Sequence, residues 1–110
     1  MPYYLFTGRY TGEAIKGMID QLEDRTEASG ALIAAFGGRI DRYFMALGDI
    51  DFFLVAEFPS NEAAMSCAAV VVASGTVADF KTTPLVPMAE MPQVFRSAQD
   101  AMSRYKAAGR

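Results

Sequence analysis

Histidine and tryptophan are absent from this chain, and cysteine occurs once, at Cys67, among 110 residues. The first absence removes the commonest general base near neutral pH and the commonest ligand for zinc or a histidine-ligated haem. A lone cysteine allows no intramolecular disulfide and no Cys/His metal constellation within one chain. The acids are spread out, with no EF-hand spacing, so no metal and no other cofactor is expected. The longest uncharged stretch, between Glu62 and Asp79, falls short of the roughly 20 apolar residues that span a bilayer. No basic segment precedes an apolar one at the N-terminus, which leads to the expectation of a cytoplasmic protein that does not engage a membrane. Basic clusters are missing too: the net charge is −3, Lys and Arg are scattered, and no electrostatic footprint for nucleic acid results.

What is present describes one folded domain over 1–110, with 52% hydrophobic and 21% charged residues. Tyr3 to Thr11 reads as an aromatic strand, and Thr11-Gly12 as a helix entry. Ala14, Ile15, Met18, Ile19 and Leu22 then lay a stripe down one helix face. The charged stretch Glu23 to Glu27 interrupts that helix, Thr26 is placed to cap a second segment, and Gly37-Gly38 ends it. Arg39 to Ala46 is expected as an edge strand, with Arg39, Asp41 and Tyr43 alternating with Ile40, Arg42 and Phe44. Leu47 to Asp49 turn the chain into Asp51 to Phe58, a strand apolar on both faces. Phe52, Leu54, Ala56 and Phe58 line one side, and Phe53 and Val55 the other.

Ser60 caps a helix that runs to Gly75; the cap and the closing glycine decide against a strand at Val70 to Val72. Val77 to Thr83 forms a last strand, expected to end at Pro84. A C-terminal helix over about 88–106 carries the cleanest stripe of the chain: Met91, Val94, Phe95, Ala98, Met102 and Tyr105. The order β-α-β-β-α-β predicts an α+β, ferredoxin-like antiparallel sheet with helices on one face, plus that amphipathic helix. Its central strands are the two that are apolar on both sides. Large apolar side chains left on the open face would each forgo roughly 1.5–3 kcal/mol, so face-to-face pairing of two copies is expected.

These residues resemble a known family. Tyr4-Leu5-Phe6-Thr7-Gly8-Arg9-Tyr10-Thr11, Leu32, Phe36-Gly37-Gly38-Arg39-Ile40, Gly48-Asp49-Ile50-Asp51, Pro59-Ser60-Asn61-Glu62-Ala63 and Thr82-Thr83 follow the order and spacing of the GYD-domain proteins, over about 3–92. The resemblance implies a small bacterial protein of the dimeric α+β barrel group, with no established activity. Ile50 stands where the family's Gly-x-Tyr-Asp segment has tyrosine, so no role of that phenol carries over.

Five residues are candidates for a ligand site: Arg9, Tyr43, Asp49, Asp51 and Thr83. Arg9 offers a guanidinium fork in an apolar strand, for an anionic ligand or for a salt bridge with Glu57 or Asp51. Asp49 and Asp51 flank the hairpin turn, where acids serve either proton transfer or turn geometry. Tyr3, Tyr4, Tyr10 and Tyr43 are expected as core aromatics or as the lining of a small-molecule cavity between sheets. Cys67, among alanines and valines, reads as a buried inert thiol. Met1-Pro2 would expose a proline amine of the tautomerase kind, but the repeated β-α-β units of that superfamily are missing. A PII-like signalling trimer shares the strand order yet would need a glycine-basic phosphate loop, which is also missing. The expected function is a homodimeric small-molecule-binding or assembly module. The alternative is a cofactor-free monooxygenase- or isomerase-like enzyme, which the lack of histidine disfavours.

Overall fold

A computed structural model describes all 110 residues. Strand β1 (Tyr3–Tyr10) leads into helix α1 (Gly12–Gln21), helix α2 (Thr26–Ala35) and strand β2 (Arg39–Met45). Strand β3 (Phe52–Glu57), helix α3 (Asn61–Ala73), strand β4 (Val77–Leu85) and helix α4 (Met91–Ala101) follow. The four strands form one antiparallel sheet in the order β2-β3-β1-β4. This is the expected ferredoxin-like α+β arrangement, with β1 and β3 central. Helix entries follow local chemistry: the Thr11 hydroxyl accepts from the Ala14 amide at 3.1 Å, and that of Ser60 accepts from the Ala63 amide at 3.2 Å.

The core lies between sheet and helices. Tyr4 and Phe6 from β1 and Leu54 and Ala56 from β3 meet Ile33 of α2 and Ala64 and Cys67 of α3, with Phe58 beside them. The Phe58 ring lies tilted at 5.6 Å from Phe6 and edge-on at 5.8 Å from Tyr4. The opposite face of the sheet carries Leu5, Thr7, Phe53 and Val55, all half-buried, and the exposed Phe44. No element of the chain covers that face with a core of its own.

Four local expectations are corrected. A bulge between Ile40 and Arg42 places Ile40 opposite Ala56 but Arg42 opposite Val55. Simple alternation therefore fails at Asp41, and Tyr43 turns to the helix side with Leu54 while Phe44 joins Phe53 on the open side. Strand β4 continues through Pro84, which pairs with Tyr4; on an edge strand the missing amide costs no ladder bond. Thr26 is the first residue of α2 and not its cap: the Asp24 carboxylate accepts from the Thr26 amide at 2.9 Å and from its hydroxyl at 2.6 Å. The C-terminal helical stretch is divided into a 3-10 turn at Met88–Glu90, α4, and a second 3-10 turn at Met102–Arg104, with Tyr105 extended. Pro92 sits in the first turn of α4, where proline starts helices.

Helix α4 has no buried residue and packs substantially only on its flanking 3-10 turns. The chain accordingly measures 58 Å in its longest direction, with a radius of gyration of 17.5 Å, against roughly 13 Å for a domain of this length. Its accessible surface is 7801 Å², whereas a folded monomer of this mass exposes roughly 5,900 Å². A surplus of about 1,900 Å² exceeds the ~800 Å² that a standard interface takes from each partner.

Candidate functional site

A cavity of about 400 Å³ lies between the helices and the sheet. Phe6, Phe52, Leu54 and Phe80 form its floor, and Met18, Leu32, Cys67 and Val71 its roof. Room for this floor comes from Gly8: a Cβ there would stand 2.9 Å from the Phe52 ring and 3.0 Å from Val77. Phe52 in turn lies 5.0 Å from the Tyr10 ring and edge-on to Tyr43 at 6.5 Å. One end of the cavity is polar. There the Tyr43 hydroxyl stands 3.3 Å from that of Tyr10 and 3.2 Å from that of Ser29, forming a chain of three hydroxyls. Arg25 lies at the same end, held by an ion pair with Glu23 at 2.8 Å. The cavity continues there into a shallower recess bounded by Asp24, Thr26, Phe44 and Met45.

Burial raises the pKa of the Tyr10 phenol, and its hydrogen bond with Tyr43 raises it further, offset in part by Arg25. Burial alone pushes the Cys67 thiol up to about 11. Both groups therefore keep their protons near neutral pH, as hydrogen-bond donors and not as bases or nucleophiles. Arg25 holds its proton more firmly than usual, chiefly through its hydrogen bond to Glu23. The arrangement suits an apolar, planar body with a polar group at the Tyr43 end.

The five residues singled out from sequence fall in three places. Tyr43 lines the cavity. Arg9, Asp49 and Asp51 converge instead on the hairpin turn: the Arg9 guanidinium donates to the Gly48 and Asp49 carbonyls at 3.0 and 2.7 Å. Asp51 is buried and accepts from the Tyr10 amide at 2.9 Å, while its own amide donates to the Gly8 carbonyl at 2.8 Å. Arg9 thus bonds to backbone, and Glu57 pairs with Arg39. Thr83 is exposed on the open side of the sheet, opposite Leu5. No three acid or thiol side chains converge on a point that could hold a metal ion.

Sequence reasoning passed over Arg25 and Ser29. Both stand one turn apart, ahead of Leu32 and Ile33 on the same helix face, and that spacing was the available signal. It was obscured because Arg25 belongs to the charged stretch that breaks the helix.

No curated protein matches the chain. Among solved structures, the Arabidopsis thaliana protein At3g17210 is similar with a TM-score of 0.53 and 10% identity, over 80% of this chain and 96% of that one. Protein Atu4242 from Agrobacterium tumefaciens has a TM-score of 0.49 and 18% identity, over 79% of this chain and 93% of that one. The likeness to the Arabidopsis protein is one of fold. A family profile, the GYD domain, matches residues 4–95, which include both the cavity-lining strands and the Gly48 to Asp51 turn. The chain therefore belongs to the GYD-domain family.

Proposed function

We propose that this protein is a homodimeric binding module that holds a small molecule, apolar in body with one anionic or hydrogen-bonding group, in the cavity between helices and sheet. The observation that carries this reading is the chain of hydroxyls Ser29, Tyr43 and Tyr10 beside the Arg25–Glu23 pair, at one end of a largely apolar space of about 400 Å³. Tyr43 contacts the ligand's polar group, and Arg25, held by Glu23, offers a charged donor beside it. Arg9, Asp49 and Asp51 act at one remove, tying the turn to the end of β1 that carries Tyr10. Thr83 belongs to the open face, where a second copy packs. Binding is favoured over catalysis because Tyr10 and Cys67 stay protonated and offer no base near neutral pH.

The test is a calorimetric titration with benzoate, salicylate, indole and 2-naphthol. At least one probe is expected to bind, and Tyr43→Phe is expected to weaken it roughly tenfold, the worth of a hydrogen bond to a partly buried group. Failure of all four to bind at millimolar concentration, or equal binding by the Tyr43→Phe protein, would refute the assignment.

A further inference from the structure

Besides the open face of the sheet, two apolar surfaces of the chain have no cover, and they differ in relief. The first is on α3, whose sequence carries no charge between Glu62 and Asp79. A helix apolar on all sides is stable when covered on all sides, yet only Ala64 and Cys67 of α3 are buried. Beside β4, its outer side forms a groove of about 650 Å³ floored by Ala64, Ala68 and Ala69 and walled by Met65, Val72 and Pro84. Met65 is 67% and Val72 53% exposed. The second surface is the stripe of α4, where Val94 and Phe95 are 44% and 61% exposed and Met102, just beyond the helix, is 72% exposed. Arg96 and Asp100 lie on the opposite side of that helix, so the stripe carries no charge.

We infer that α4 is an exchanged arm, seated in the groove between α3 and β4 of a second copy of this chain. Dimensions agree: the 11 residues of α4 span roughly 16 Å, and the groove, lined from Asn61 to Ala73, runs about 18 Å along α3. Relief agrees as well, because the large side chains of the stripe face alanines that allow two helices to approach within roughly 8 Å. Surface area favours another copy as the occupant. The surplus of about 1,900 Å² is enough for two standard contributions of ~800 Å², one for the open sheet face and one for this exchange. The chain's own α4 is led away from its own groove by Val86, Pro87 and the 3-10 turn at Met88–Glu90, a short connection stiffened by proline. Reciprocal exchange about a two-fold axis seats both arms and leaves neither groove open. The inference rests on the self-association in the proposed function but uses a different surface.

Disulfide trapping tests it in the full chain with Cys67→Ala as background. Copies carrying Phe95→Cys are mixed with copies carrying Ala68→Cys, refolded together and oxidised. A covalent heterodimer is the expected product. Absence of a cross-copy link, or a link formed only within a single chain carrying both substitutions, overturns the exchange. Phe95→Asp and Met65→Asp, both at exposed positions, are each expected to weaken association at least tenfold by light scattering. An unchanged assembly in both overturns the inference. Loss of association in Val55→Asp with none in the two α4 and groove variants would keep the sheet pairing and sink the exchange. The reverse pattern would keep the exchange and sink the pairing.

Discussion

A methyl group at Gly38 would collide with the carbonyl oxygen of Glu57 and stand 2.8 Å from the Phe58 ring and 3.0 Å from Ile33. Two of these neighbours are buried and the third is backbone, so none can retreat at low cost. Gly38→Ala is expected to destabilise the fold by about 1–3 kcal/mol in urea denaturation, and an unchanged midpoint would show that the strand can shift. Cys67 supplies a pH signature at the same scale. Its thiol is neutral when protonated, and burial raises its pKa from the ordinary 9.0 to about 11. Stability from this group is therefore complete below pH 9 and is lost as pH rises from 9 through 11, to a total of about 2–3 kcal/mol. Subtracting the alkaline profile of Cys67→Ala from that of the natural chain should isolate this step. Tyr10, also raised, continues the loss above pH 10 in both proteins.

The β2-β3 hairpin shows how an element is aimed. Asp51 accepts the Tyr10 amide while Arg9 holds the Gly48 and Asp49 carbonyls, so the turn is tied to the end of β1. This end includes the irregular register between Thr7 and Arg9, after which the chain presents Tyr10 to the cavity. Removing the buried acceptor should cost more than replacing it. Asp51→Ala is expected to lose about 1–3 kcal/mol, the cost of an unpaired buried amide, and Asp51→Asn less, since its amide oxygen still accepts. Equal losses in the two, followed by thermal or urea unfolding, would contradict the role of the Asp51–Tyr10 bond in tying the turn to β1. Strands and caps at this scale were legible: Thr11 and Ser60 cap as their residue types require, and the two-faced β3 is central. The bulge at Asp41 was not, because a bulge is a matter of pairing between strands and leaves no mark in the alternation of one strand. Tyr43 was picked out from sequence, but its place facing the helices came from that bulge.

For the whole molecule, the exposed area is the governing fact. Only 12 of 110 residues are buried in a chain in which half the residues are hydrophobic, and the proposed association would bury more. A charge in the middle of the open face should oppose it: Val55→Asp is expected to shift the protein toward monomer in light scattering at micromolar concentration. A monomeric natural chain under those conditions would remove the case for sheet pairing. Since Val55 points away from the cavity, ligand binding within each copy is expected to survive this substitution.

The order of elements, the helix entries at Thr11 and Ser60, the two-faced central strands and the exclusion of histidine-based chemistry and of an intramolecular disulfide follow from the chain alone. Each depends on residue type and on periodicity along the chain, which are local properties. Three-dimensional packing is what brings Tyr43 to Tyr10 and Ser29, commits Arg9 to the Gly48–Asp49 turn, and leaves the stripe on α4 free of its own body. Those outcomes depend on strand register and on the direction in which one element leaves another, and both are set by packing between residues far apart in the chain.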